Sequence, residues 1–171
     1  RCQVELKTDA GGTVVITVAK PVMSITLNAA DLVISRASVD GIAATRIATD
    51  AAAQTATFSF ARPIVPGKHV LAMAWRGTIN RSATGLFAID YTNADGTPDR
   101  MLATQFEAPD ARRFAPMWDE PALKAVFTLS VQVPLSQTAF SNMPIDLEAV
   151  GPGKKRLVKF KASPRMSSYL L

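Results

Sequence analysis

Alternation of apolar and polar residues along two segments is the feature that most constrains the fold of this chain. The segment QTATFSF alternates Ala56, Phe58 and Phe60 with threonine and serine. The segment AVFTLSVQV places an apolar residue at every second position from Phe127 to Val133, separated by threonine, serine and glutamine. A period of two residues is that of a β-strand with one buried face. Both segments are therefore predicted to be half-buried strands.

Shorter segments with strand character occur along the rest of the chain: GTVVITVA, SITLNA, LVIS, TRIAT, HVLAMAWRG, GLFAIDY, MLATQF, IDLEAV and RLVKFKA. Turn-forming sequences such as ARPIVPGK, NADGTPD and VGPGKK separate them. No long 3.6-residue period is present, and only APDARRFA, near residues 108–114, is compatible with a short helical turn. We predict an all-β fold, an antiparallel β-sandwich or saddle-like assembly of sheets.

Composition limits the classes of protein to consider. The chain has 171 residues, 48% of them hydrophobic, which is enough to bury the core of one sizeable domain or of two very small ones. The net charge of +5 is mild, and we expect no nucleic-acid partner. No apolar run is long enough to span a bilayer. The chain begins at Arg1 without a signal peptide, so we expect a piece of a longer protein, cytoplasmic or exported.

The residues that most often carry catalysis or bind zinc are scarce. Cys2 is the single cysteine and His69 the single histidine. A His-Glu-x-x-His zinc site needs two histidines, and no Gly-x-Ser-x-Gly elbow accompanies His69. We therefore predict that His69 is a strand residue at a sheet surface and that Cys2, which has no neighbouring base, is not a nucleophile.

Two further motifs each have a structural and a functional interpretation. NADGTPD carries oxygen-bearing side chains but lacks the twelve-residue calcium loop and its closing glutamate, so a hairpin turn at Asp95-Gly96 is favoured. The basic segment GKKRLVKFK is compatible with a nucleic-acid patch. The favoured interpretation is the solvated face of a strand that lies opposite the acidic segment IDLEAV across the GPG turn.

Charge and bulk are concentrated in TQFEAPDARRFAPMWDEPALKA, residues 104–125. This segment carries charges of both signs, three prolines and a tryptophan, and it lies between two predicted strands. Core packing alone does not require such a segment. Read from its residues only, the chain is a β-rich binding or accessory domain.

A longer block that includes this segment, from GLFAIDY to AVFTLSVQVP, resembles the N-terminal domain of zinc aminopeptidases of the aminopeptidase N and puromycin-sensitive type. The stretches ITLNAADLVIS, LAMAWRGTIN, AFSNMP and FKASPRMSSYLL are similar to other parts of the same domain. The resemblance covers nearly the whole chain. Met117 stands where many relatives have cysteine, and Ser163 where threonine is usual; neither position carries chemistry in the family.

The resemblance implies that residues 1–171 form one N-terminal β domain of a zinc metallopeptidase, a hydrolase that releases N-terminal amino acids from peptides. In this family the Gly-x-Met-Glu-Asn loop, the His-Glu-x-x-His helix and the third zinc ligand lie in a catalytic domain, which would follow Leu171. None of these motifs occurs in the chain. We therefore expect zinc only in the full-length enzyme, and a chain that docks on its own catalytic domain and is inactive alone.

The resemblance also assigns two substrate-binding residues. Glu107 corresponds to the carboxylate that binds the free α-amino group of the peptide, and Gln105 lines the pocket for the first side chain. A fixed carboxylate in a partly desolvated cleft pairs strongly with an ammonium group. Without the resemblance, Glu107 is better interpreted as a solvated loop acid.

Other residues of the segment are assigned structural roles. Arg112, Asp119 and Glu120 are predicted to hold the loop through charge-assisted hydrogen bonds, and Phe114 and Trp118 to anchor it. The prolines would stiffen it. The alternative to an aminopeptidase domain is a non-enzymatic β-sandwich module for protein interaction.

Overall fold

The structure, a computed structural model, describes the backbone of residues 7–171 and the side chains from residue 10 onward. Cys2 and most of the N-terminal segment RCQVELK thus lie outside the described residues. The predicted all-β, antiparallel fold is confirmed. The strands are β1 Lys7–Val18, β2 Val22–Asn28, β3 Leu32–Val39, β4 Ile42–Ala43, β5 Arg46–Asp50, β6 Thr55–Ile64, β7 Gly67–Thr78, β8 Gly85–Thr92, β9 Pro98–Gln105, β10 Ser130–Pro134, β11 Ile145–Gly151 and β12 Lys155–Phe160.

Helical structure in the described residues is confined to two short 3₁₀ turns. One spans Ala111–Arg113, inside the segment where a short helical turn was predicted, and the other spans Ser168–Leu170. No helix in residues 7–171 is long and apolar enough to cross a membrane.

The chain divides into two compact units, one that ends at Asp119 and a second that spans Glu120–Leu171. The assignment of residues 1–171 to one N-terminal domain stays a prediction. The first unit contains a four-stranded sheet of order β1-β7-β3-β4, a three-stranded sheet of order β2-β6-β5, and the hairpin β8-β9. All of these pairings are antiparallel.

The core of the first unit is built from the inward faces of its two larger sheets. The alternation predicted for β6 is confirmed, because Ala56, Phe58 and Phe60 are buried while the intervening residues are half-buried. Leu71, Met73 and Trp75 alternate in the same way on β7. Further buried members of this cluster are Ile16, Val18, Ile25, Leu27, Ala29, Leu32, Ala37, Val39 and Ile64.

The predicted hairpin at Asp95-Gly96 is confirmed. β8 and β9 pair from Gly85 opposite Gln105 to Thr92 opposite Pro98. Gly96 has φ of 84°, a left-handed conformation that favours glycine. The Asp95 carboxylate accepts bonds from the backbone N–H and the hydroxyl of Thr97, so it stabilises the turn.

The second unit contains a three-stranded sheet of order β10-β12-β11. Its basic strand β12 pairs with the acidic strand β11, as predicted for a solvated strand face. Arg156 donates to Glu148 at 2.5 Å, and the ammonium of Lys159 lies 3.7 Å from the Asp146 carboxylate. The basic residues are thus partly neutralised by their neighbours in the sheet.

One strand prediction was wrong at its N-terminal end. The segment AVFTLSVQV was expected to be one strand, but β10 begins only at Ser130. The reason is local: the N–H of Phe127 donates to the hydroxyl of Ser163 at 2.9 Å rather than to a backbone carbonyl. The side-chain alternation persists, because Phe127 and Val133 are half-buried and Thr128 is exposed.

His69 lies on β7, as predicted, and both of its ring nitrogens face acceptors. Nδ1 lies 2.7 Å from the Asp40 carboxylate and Nε2 lies 2.9 Å from the carbonyl oxygen of Val65. The bond to Asp40, with the one to Val65, raises the pKa of His69 above its ordinary value. The N–H of Val70 and the His69 ring together lower the pKa of Asp40.

We expect the NMR titration of His69 to have a midpoint above about 6.5, the ordinary pKa of histidine. Because its pKa is raised in the folded state, the stability contributed by His69 is complete below pH ~6.5 and is lost as pH rises through the raised value. The pKa of Asp40 is lowered in the folded state, so the stability that Asp40 contributes is complete above its ordinary pKa of about 3.9 and is lost as pH falls through the lowered value. The measurement is simple because the chain has a single histidine. Asp40→Asn should lower the midpoint, and a midpoint at or below 6.5 in the parent chain contradicts the expectation.

Candidate functional site

The loop that follows β9 carries both predicted substrate-binding residues. Gln105 is the last residue of β9, pairs with Gly85, and has an exposed side chain. Phe106 is only 1% exposed, and the next residue, Glu107, is again exposed. No hydrogen bond or ion pair joins the Glu107 carboxylate to any side chain or backbone group of residues 10–171. Gln105 and Glu107 therefore flank a buried aromatic anchor, and both are accessible.

Glu107 lies in a closed turn. The N–H of Asp110 donates to the carbonyl of Phe106 at 3.0 Å, so residues 106–110 form a compact loop, in which the Glu107–Ala108 peptide bond is cis. The Phe106 ring packs against Phe114, with ring centroids 5.4 Å apart. The indole N–H of Trp75 donates to the Phe114 carbonyl at 2.9 Å, which connects the loop to the core.

The returning half of the loop is held by a buried ion pair. The Asp119 side chain is fully buried, and its Oδ2 accepts bonds from both the backbone N–H and the Nε of Arg112, each at 3.1 Å. Arg112 also donates through Nη1 to Gln54 at 3.3 Å. The predicted structural role of Arg112 and Asp119 is in agreement with these contacts.

Asn28, at the end of β2, connects this half of the loop to the sandwich. Its backbone N–H and C=O bond reciprocally with Met117 at 2.9 and 3.0 Å, and its Oδ1 accepts from the N–H of Asp119 at 3.1 Å. The N–H of Ala30 donates to the Arg112 carbonyl at 3.0 Å. Sequence analysis assigned Asn28 no role, although a polar residue at the end of a buried strand was the available signal.

A second set of contacts holds the turn that carries Glu107. Nε of Arg113 donates to Asp110 at 2.8 Å, and its Nη1 donates to the Asp31 carboxylate. The stem of Arg113 packs over Gly85, where an added Cβ would lie 3.1 Å from the Arg113 Cβ. The contacts with Asp31 and Gly85 were not predicted, because these two partners are distant from Arg113 in sequence.

Two of the predicted structural roles are wrong. Trp118 is 39% exposed and does not anchor the loop; Phe106 and the buried Pro116 fill the interior instead. Glu120 is exposed, and the bond it accepts, from the N–H of Leu123, goes to its backbone carbonyl. Within residues 10–171 its side chain makes no ion pair, so it does not hold the loop in the way that Asp119 does.

The described residues do not form a metal site. No group of three or more histidine, cysteine, aspartate or glutamate side chains is placed to hold an ion among them. Both ring nitrogens of His69 are already engaged with Asp40 and Val65. What the loop offers chemically is an accessible carboxylate on a backbone that is fixed on both sides, an arrangement suited to binding a cation such as an ammonium group.

Comparison with known proteins identifies the family. A family model described as "Peptidase M1 N-terminal domain" matches residues 3–170 of the chain. The chain belongs to this family. The match includes the whole loop from Gln105 to Asp119 as well as both units of the fold.

Relatives of this M1 N-terminal domain are named aminopeptidases. "Aminopeptidase N" of Acetobacter pasteurianus is 40% identical over 166 residues, which are 97% of this chain and 47% of the relative. "Aminopeptidase M1-C" of Oryza sativa subsp. japonica is 39% identical over 161 residues, 93% of this chain and 18% of the relative. "Aminopeptidase M1" of Arabidopsis thaliana is 37% identical over 155 residues, 86% of this chain and 17% of the relative. The chain thus spans about half the length of the first and less than a fifth of the other two.

Proposed function

We propose that this chain is the N-terminal part of a zinc metallo-aminopeptidase and that Glu107 binds the α-ammonium group of the peptide substrate. The observation that carries the proposal is the Glu107 carboxylate, which is exposed and free of partners among residues 10–171. It lies on a turn anchored by the buried Phe106, in a family whose matched relatives are named aminopeptidases. A carboxylate fixed in this way selects a free N-terminus by charge and hydrogen bonding.

Gln105 is proposed to line the pocket for the first side chain of the peptide. Its exposed side chain is at the end of β9, two residues before Glu107, and only the buried Phe106 separates the two exposed residues. This short separation along the chain supports a position for Gln105 beside the first residue of a ligand whose ammonium group binds Glu107.

The domain is also proposed to dock on its own catalytic domain. Each unit exposes large apolar side chains: Trp118 is 39% exposed in the first, and Phe140 and Leu170 are 87% and 48% exposed in the second. Exposed apolar residues of this size are typical of surfaces that another domain covers. The motifs AFSNMP and MSSYLL, which contain two of these residues, are among those that carry the family resemblance.

Zinc is proposed to belong to the catalytic domain of the full-length enzyme, because the described residues of this chain do not fit a zinc site. Binding the substrate ammonium in this domain would place the peptide in register with a catalytic centre elsewhere. Such fixed placement is an established contribution to enzymatic rate.

We expect the 171-residue chain alone to retain no stoichiometric zinc after dialysis and to show no turnover of an aminoacyl-arylamide. The physical reason is the supply of soft ligands: one histidine and one cysteine are too few for a tetrahedral zinc site. Metal analysis and a chromogenic assay check this. One equivalent of retained zinc, or turnover by the pure chain, contradicts the proposal that zinc binding and catalysis belong to another domain.

The parent gene distinguishes this proposal from the non-enzymatic interaction module. If the reading frame continues beyond Leu171 into a His-Glu-x-x-His segment, the aminopeptidase assignment is supported. A frame that continues without that segment favours the interaction module.

A further inference from the structure

We propose that Arg113 is the positioning residue that holds Glu107 in its binding orientation. The inference rests on the proposed role of Glu107 as the ammonium ligand. Arg113 does not itself contact substrate in this proposal. It acts through the turn 106–110 that carries Glu107 and through the strand pair that carries Gln105.

The head of Arg113 connects the Glu107 turn to the sandwich. Its Nε donates to Asp110 at 2.8 Å, and Asp110 is the residue whose N–H closes the turn on the Phe106 carbonyl at 3.0 Å. Its Nη1 donates to the carboxylate of Asp31, which lies between β2 and β3. One guanidinium group therefore connects the closing residue of the turn to the β2-β3 connection.

The aliphatic part of the Arg113 side chain packs against Gly85, the strand partner of Gln105. A Cβ built on Gly85 would lie 3.1 Å from Arg113 Cβ and 3.8 Å from its Cδ, so the stem occupies the space that any larger residue would need. Gly85 has φ of 65°, which also favours glycine. Gly85 pairs directly with Gln105. Arg113 thus contacts the partner of one proposed substrate-binding residue and the turn of the other.

Only arginine can make both ion pairs in this geometry. The guanidinium group is a planar fork with several donors, whereas a lysine ammonium is a point charge on a flexible stem. Lysine at position 113 keeps the charge but cannot reach Asp110 and Asp31 through separate, rigidly spaced donors. Asp31 is largely exposed, so its pair with Arg113 contributes little to stability. The pair with Asp110 is mostly buried, and lysine at position 113 keeps the positive charge beside it. Loss of the two-donor geometry should therefore appear as a selective loss of ligand binding.

The test is a comparison of two ligands in the full-length protein by isothermal titration calorimetry. Alanine hydroxamate carries a free amine, and propanohydroxamic acid is the same molecule without it. Arg113→Lys should weaken binding of the amine-bearing ligand by about tenfold, since a misplacement of about 1 Å can cost up to a hundredfold. Binding of propanohydroxamic acid should stay within about twofold, which corresponds to only ~0.4 kcal/mol. Asp31→Asn, a smaller change, should shift the same ligand in the same direction.

The matched control is Arg100→Lys. Arg100 also donates two hydrogen bonds to an aspartate, Asp90. This pair lies on the β8-β9 hairpin and does not contact the Glu107 turn. This variant should leave the affinities of both ligands unchanged. An equal loss of amine-ligand affinity in Arg100→Lys overturns the assignment of a specific role to Arg113.

A double-mutant cycle with Glu107→Gln separates the inference from the proposed function. If Arg113 acts through Glu107, Arg113→Lys has no further effect on amine binding in the Glu107→Gln background. If Glu107→Gln leaves the preference for the amine-bearing ligand intact, the proposed function itself is wrong. If Glu107→Gln abolishes that preference but neither Arg113→Lys nor Asp31→Asn reduces it, only the positioning role is overturned. Equal weakening of both ligands by Arg113→Lys also overturns it, because that indicates a general structural effect.

Discussion

Changing Glu107 to alanine in the full-length protein lowers kcat/KM for peptides with a free N-terminus by roughly a hundredfold or more. Truncating one member of a desolvated, hydrogen-bonded charge pair typically costs about 2–5 kcal/mol. Each ~1.36 kcal/mol corresponds to a tenfold change in rate. Part of the loss should appear in kcat if the bound ammonium group also aligns the scissile carbonyl. Steady-state kinetics with a series of free-amine peptides measures both parameters.

The same change should leave folding nearly intact. Glu107 is exposed and makes no bond to residues 10–171, so its removal should change the free energy of unfolding by no more than about 0.5 kcal/mol. Glu120→Ala is the matched control, since Glu120 is another exposed glutamate beyond the same loop. It should leave kcat/KM within about twofold of the parent. If Glu107→Ala also stays within that range in a folded enzyme, Glu107 is a solvated acid and not the ammonium ligand.

Asp119→Ala should have the opposite profile, with a large loss of stability. The Asp119 carboxylate is fully buried and accepts from the backbone N–H and the Nε of Arg112. Removing it leaves the backbone N–H and the Nε of Arg112 without this acceptor, and it leaves the largely buried guanidinium group without this carboxylate as its counter-ion. Loss of one partner from a buried pair costs about 3–5 kcal/mol. Urea unfolding monitored by tryptophan fluorescence, with Trp118 next in sequence and Trp75 in the core, provides the measurement.

Two controls define the origin of that loss. Asp119→Asn retains an acceptor of the same shape but no charge, so it should recover part of the stability that alanine loses. Asp95→Ala removes an aspartate that also accepts two hydrogen bonds, but in an exposed hairpin turn, and should cost less. Stability of Asp119→Ala within about 1 kcal/mol of the parent would falsify the view that this ion pair holds the loop.

The strands were predictable because their signal is local. Alternation with a period of two follows from the geometry of an extended chain, and β6 shows it with Phe58 and Phe60 buried. The start of β10 was missed for a reason the pattern does not contain. The alternation extends from Phe127 onward, but the N–H of Phe127 bonds to a serine hydroxyl instead of a strand partner. Periodicity indicates which face of a strand is buried, but it does not identify the acceptor of each backbone N–H.

The loop could be predicted only in part, because its contacts are long-range. A structural role for Arg112 and Asp119 in charge-assisted bonds was foreseen because both lie in one charged segment of the sequence, although their pairing with each other was not specified. The bonds to Asn28 and Asp31 join residues more than eighty positions apart, and no pattern in a single sequence encodes that register. Trp118 was expected to be a hydrophobic anchor of the loop, but it is 39% exposed. In the structure the buried apolar residues of the loop are Phe106, Ala111 and Pro116.

The candidate site depended on resemblance more than on physical pattern. Nothing local distinguishes Glu107 from other exposed acids, and the residues alone favoured a solvated carboxylate. The structure adds the context that the sequence lacked. The buried Phe106, the closed turn at Asp110 and the ion pairs of Arg113 together fix the backbone that presents Glu107.

The most direct test of the central claim is a crystal structure of the full-length protein with a bound peptide or amino-acid hydroxamate. The account predicts that the α-ammonium nitrogen lies within hydrogen-bond distance of the Glu107 carboxylate, about 2.7–3.2 Å, with Gln105 beside the first side chain. An ammonium group held only by other residues, with the Glu107 carboxylate facing solvent, contradicts it.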